Sequence, residues 1–213
     1  MTTQYAKFAK IQVNSPGRGM QTSLTLPSSY TIGSSGGYIH FYVGLGDYEC
    51  GISTDYGTSG WRWFASSGAV TGTDAGGTVG EFAQRDTVNI KLTLDDTDNK
   101  AKFYVNGALK HTFSPSYTSS TAFDNCRLIL GALTTTFSTV PDPLPAWQVF
   151  HDQVTASGLM YKNANRAWLN IKAANATPTV FHTPGSKTPN PQNYSFDSSQ
   201  LSSSRVYGSI QSY

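Results

Sequence analysis

The stretch DTVNIKLTLDDTDNKAKFYVNGALKHTF, residues 86 to 113, limits what this chain can fold into more than any other. Val88, Ile90, Leu92 and Leu94 alternate with Asn89, Lys91 and Thr93, the period of two that a half-buried β-strand needs. DDTDNK reads as a turn and AKFYV (101–105) as the returning strand. Asn106-Gly107 then supplies the dipeptide best suited to a tight hairpin, because both residues tolerate positive φ. ALKHTF (108–113) pairs back. A chain with this unit is building antiparallel sheet.

Runs of the same kind recur between turn clusters. YAKFAKIQV (5–13), MQTSLTL (20–26), GYIHFYVGL (37–45), YECGIST (48–54), WRWFAS (61–66) and CRLILGAL (126–133) all read as strands, and WQVFHDQ, ASGLMY and AWLNIKAA as three more. Composition agrees. Only 13% of the residues are charged, and two glutamates stand beside eleven aspartates. Ser, Thr and Asn supply the polarity instead, and they compete with helical backbone bonding. The expected fold is all-β: an antiparallel sandwich or jelly roll, long enough at 213 residues to bury a sizeable core. Residues 1–183 are expected to form it. The Pro/Ser/Asn-rich segment 184–213 is expected to pack on the same domain, with RVYGSI as a last ordered strand.

The net charge of +2 comes without a polybasic run, so neither nucleic acid nor a membrane surface is an expected partner. No apolar stretch approaches the length of a membrane span. The opening MTTQYAKFAK has no apolar signal core, while the composition suits an extracellular setting. The expectation is therefore a secreted or cell-surface protein in its mature form. Cys50 and Cys126 are the only cysteines. They could be bonded or remain two buried thiols. Without a CxxC pair or clustered histidines, a structural zinc site is not expected.

The strand–turn–strand–NG–strand unit resembles that of concanavalin A-like lectin and glucanase sandwiches. Within that superfamily the order YVG, ECG, WRWF, RDT and PAWQVFHD is similar to that of the glutamic peptidases, which use a Gln–Glu pair on the concave face of a sandwich. Glu49 stands where that family has its Gln, and Phe150 where it has its Glu. The catalytic pair is not retained, so the resemblance implies fold and not activity.

Chemistry concentrates in GDYECGISTDYGTSGWRWF, residues 46 to 64. On a strand, Asp47, Glu49, Gly51, Ser53 and Asp55 share one face, and Tyr48, Cys50, Ile52 and Thr54 the other, which reads as the core side. Trp61 and Trp63 share a face of the next strand. A flat tryptophan can stack on a sugar ring while neighbouring polar groups bond its hydroxyls. The expected ligand site is accordingly Tyr42, Asp47, Glu49, Tyr56, Trp61 and Trp63, with His40 as a possible extension and a polysaccharide or glycan as the partner. The function expected is that of a non-catalytic carbohydrate-binding module. One alternative is an acid peptidase-like or glycosidase-like hydrolase using Glu49, with Gln148 as its partner. The other is a structural surface protein that self-associates by strand pairing. The glucanase E-x-D-x-x-E pattern is absent, and His40, His111, His151 and His182 are scattered without a nucleophile motif. No cofactor or metal is expected. DDTDN (95–99) has calcium-like oxygen density but serves equally as a hairpin turn.

Overall fold

The structure is a computed structural model describing residues 3–68, 73–184 and 194–211. Two antiparallel sheets enclose the core. The first is built, in spatial order, from β14 (Ala176–Thr183), β1 (Thr3–Val13), β11 (Cys126–Phe137), β4 (Tyr38–Leu45), β5 (Tyr48–Asp55), β6 (Arg62–Ser66) and β7 (Ala75–Gly76). The second runs β10 (Ala108–Ser116), β9 (Lys100–Val105), β8 (Thr87–Leu94), β2 (Gly17–Thr25), β12 (Val149–Asn163), β16 (Arg205–Ile210) and β15 (Tyr194–Asp197). Two three-residue strands, β3 (Tyr30–Ile32) and β13 (Trp168–Asn170), pair with β12.

Alternation explains the layers. Val88, Ile90, Leu92 and Leu94 of β8 are all at most 1% exposed and meet Ile39, Phe41, Val43 and Leu45 of β4 in one continuous core. Asn106 and Gly107 both take positive φ, as the tight hairpin requires, and the Asn106 side-chain carbonyl accepts from the Asn89 amide. WQVFHDQ and ASGLMY form one strand, not two. Gly158, at φ +60, is absorbed as a bulge where β12 shifts register against β2. Residues 176–183, a strand that sequence patterning did not single out, contain Pro178, whose missing donor is tolerated because β14 is the edge of its sheet.

The C-terminal segment joins the second sheet through β15 and β16. Tyr194 reaches inward to donate from its hydroxyl to the Leu130 carbonyl, 3.0 Å away. The pairing groups of these strands that face β12 and each other are thus used within the chain. Cys50 and Cys126 are free, buried thiols. They lie on β5 and β11, which flank β4, so their backbones are about two strand spacings (~9.6 Å) apart, beyond disulfide reach. No helix among the described residues is long and apolar enough to cross a membrane.

Candidate functional site: a groove on the outward face of the first sheet

The face of the first sheet turned away from the core carries its own ordered set of side chains, read directly from the strand register. One row crosses six strands: Phe181, Phe8, Gly131, His40, Ser53, Arg62. The adjacent row runs Lys10, Ile129, Tyr42, Gly51, Phe64, Gly76, and the next Gln12, Arg127, Gly44, Glu49, Ser66. Ala6, Leu133, Tyr38 and Asp55 close the other side. These rows floor an open groove of about 990 Å³, walled beyond β6 by Gly68 and residues 73–77.

Two glycines on this face give room to their neighbours. A Cβ at Gly44 would come 2.8 Å from Cγ and Cζ of Arg127, so the arginine lies flat across β4. A Cβ at Gly131 would stand 2.4 Å from the Phe8 ring and 3.0 Å from His40 Nε2. Removing side chains at these points lets large ones fold down over the sheet. The result is a floor instead of a row of posts.

Lying flat brings Arg127 to Glu49. Its Nη2 donates to Glu49 Oε1 at 2.8 Å, while Nη1 donates to the carbonyls of Gly46 at 2.8 Å and Asn125 at 3.2 Å. The Tyr42 hydroxyl donates to the same Oε1 at 2.8 Å. Burial raises the Tyr42 phenol, with the Glu49 charge adding to it. At the opposite end of β5, Arg62 donates to Asp55. Tyr38, His40 and Tyr42 stand edge to face along β4 between these ion pairs, with ring centroids 5.0 Å apart at each step. Burial pushes the His40 imidazole down to about 4, opposed in part by Glu49, so the ring is neutral at pH 7. Its Nε2 is buried without a hydrogen-bond partner among the described residues. Burial likewise raises Tyr38 to about 12.

Of the residues expected from sequence, Tyr42, Glu49 and His40 meet in this groove. The tryptophans do not. Trp61 is 0% exposed, stacked on Phe41 in the core, and Trp63 leans inward toward Phe103. Ser53 pairs with Arg62 and Gly51 with Phe64, so odd positions of β5 sit beside even positions of β6. Arg62 and Phe64 therefore stand where the tryptophans were expected. Asp47 and Tyr56 occupy the turns at either end of β5 and are exposed, outside the groove lining. Gln148 is exposed beside β3, its carbonyl accepting from the Gly33 amide, and Phe150 pairs with Thr31 in the second sheet. Neither stands opposite Glu49. Arg127 does.

The acidic turn at 95–99 is occupied by cations of the chain itself. Lys102 Nζ lies 3.2 Å from Asp95 and 2.8 Å from Asp98. Asp96 accepts from Lys162 at 2.5 Å, with Arg18 and Arg166 at 3.6 and 3.7 Å. The turn's oxygens are engaged by ammonium and guanidinium groups. Among the described residues no group of three or more His, Cys, Asp or Glu is placed to hold a metal.

At the level of sequence, no protein-family model and no curated protein matches the chain. Solved structures do. Scytalido-glutamic peptidase bound to a peptide-based transition-state analogue aligns with a TM-score of 0.62 at 12% identity, covering 98% of this chain and 100% of that one. SCP-B, a member of the Eqolisin family of peptidases in complex with a tripeptide, aligns at 0.60 and 13% identity over the same shares. The fold is a concanavalin A-like sandwich. Looser alignments reach a galectin, LEC-6 from Caenorhabditis elegans, and an endo-1,3-β-glucanase from Streptomyces sioyaensis, each over 59% of this chain, with TM-scores of 0.32 and 0.37. At such identities the likeness is one of fold.

Proposed function

We propose that this chain is a non-catalytic binding module, secreted or on the cell surface, whose groove takes a glycan chain. The observation that carries the reading is the state of the two carboxylates on the groove floor. Glu49 is held by Arg127 and Tyr42, and Asp55 by Arg62. They lie six residues apart on one strand, about 20 Å at the rise of an extended chain. Glycoside hydrolysis needs two carboxyl groups about 5 to 9.5 Å apart, one of them kept protonated. Glu49 and Asp55 each already have an oxygen engaged by a guanidinium group, so neither stands free beside a bond to be cut. Asp74, the other acidic residue of the lining, is exposed on the far wall.

What remains is suited to recognition. The lining presents aromatic faces and edges from Phe8, Tyr38 and Phe64, with hydroxyls of Ser53 and Ser66 and charged groups of fixed orientation. Sugar rings offer apolar faces to the first and hydroxyls to the second. The test is calorimetric titration with linear neutral hexasaccharides, with chromatography of the same samples after prolonged incubation. Saturable binding with intact sugar is expected. Cleavage of the sugar, or of casein between pH 3 and 7, abolished by Glu49→Gln, would replace this reading with a hydrolase.

A further inference from the structure

The floor of the groove is charged, yet its charges are paired internally. We infer that the groove selects uncharged glycan chains and excludes polyanionic ones, and that Glu49 and Asp55 set this preference by engaging the two guanidinium groups an acidic sugar would need. This rests on the binding-module reading and specifies its ligand.

Arg127 is largely committed: one terminal nitrogen serves Glu49, the other serves two backbone carbonyls, and its side chain is only 11% exposed. Arg62 is more open, but its Nη2 is bonded to Asp55. With the imidazole of His40 neutral at pH 7, the residues lining the groove carry three carboxylates, Glu49, Asp55 and Asp74, and one guanidinium, Arg62. Arg127 adds a second beneath Glu49, and the ammonium of Lys10 stands apart on β1, over the Phe181 ring. A uronate or sulfate entering beside β5 meets an excess of carboxylates and two guanidiniums each already held by one. Its desolvation is then uncompensated. A neutral sugar meets the same groups as oriented hydrogen-bonding partners, with carboxylate oxygens accepting from its hydroxyls and aromatic rings beneath its apolar face. The paired charges act through geometry for one ligand class and through repulsion for the other.

Asp55 provides the test because it sits at a strand end and its removal frees Arg62. The probes are neutral hexasaccharides of β-1,3-glucan, β-1,4-glucan, β-1,4-mannan and β-1,4-galactan, against hexagalacturonate. Each is titrated into the wild-type chain and Asp55→Asn at 20 and 200 mM salt. The wild type is expected to bind at least one neutral chain and to leave hexagalacturonate unbound. Asp55→Asn is expected to show saturable hexagalacturonate binding where the wild type shows none, as one new charge-assisted hydrogen bond allows, with that binding weakened at high salt. Glu49→Gln, which removes the negative charge facing Arg127, gives an independent second variant with the same sign. Hexagalacturonate binding to the wild type, or no gain in either folded variant, overturns the inference while leaving a glycan-binding groove. If none of the five probes binds, the binding-module reading itself falls, and this inference with it.

Discussion

The two faces of the first sheet are made by alternate residues of the same strands, and they differ in what they leave undone. On the inner face Phe41, Val43, Cys50 and Ile52 are sealed against the second sheet, all 0% exposed. The outer face carries a smaller apolar patch, Ala6, Phe8, Tyr42, Ile129 and Leu133, next to ion pairs that water still reaches. Burial alone therefore does not mark the core. The outer face is distinguished by polar groups that satisfy one another locally: Glu49 by Arg127 and Tyr42, Asp55 by Arg62. It is a finished surface with a groove in it, whereas the inner face needs a second sheet to exist.

Acid challenges the comparison most strongly. His151, packed edge to face on Phe41 inside the sandwich, is pushed down to about 4 by burial, as His40 is on the groove floor. In the unfolded chain both would titrate near 6.5. Between pH 6.5 and 4 the unfolded chain takes up protons that the folded chain refuses, so stability falls as pH falls, and neither group contributes above that window. The loss is about 3 kcal/mol per histidine from pH 7 to 4. Urea unfolding across this range should show both contributions, and His151→Gln should remove about half of the slope.

Trp61 and Phe64, three residues apart and of opposite parity, separate the faces by substitution. Trp61→Ala should cost about 3 to 5 kcal/mol, the range for emptying a large core site. Phe64→Ala, on the groove side, should cost clearly less in thermal unfolding and appear instead as lost sugar affinity. Glu49→Ala, which leaves Arg127 beside no carboxylate, should destabilise by about 1 to 3 kcal/mol. Restoring much of that loss with Glu49→Gln would show that the hydrogen bond matters as well as the charge. Smallest is Arg62→Ala, whose half-exposed pair with Asp55 should be worth no more than about 1 kcal/mol.

Much of the layer assignment was legible in the sequence because period-two alternation in β5 and β8 is independent of what the strands pair with. Glu49 outward and Cys50 inward follow from it. The placement of Trp61 and Trp63 did not, because alternation says which residues share a face but not which face, and that depends on the register across the β5–β6 turn. Arg127 was missed for a related reason. It opens an otherwise apolar run, CRLILGAL, which reads as a buried strand, and only the neighbouring Gly44 makes room for the side chain to reach Glu49. A lone arginine at the outward parity of such a run is the signal that would have found it.

The central claim is that the outward face of the first sheet binds a glycan without cutting it. Aromatic and amide NMR during titration with the best-bound neutral hexasaccharide tests this most directly. The account predicts saturable shifts of Tyr38, Tyr42, His40 and Phe64, unchanged resonances of Tyr104 on the outer face of the second sheet, and an intact sugar at the end. Shifts centred on Tyr104 with the groove silent, or sugar resonances turning into those of shorter products, would contradict it.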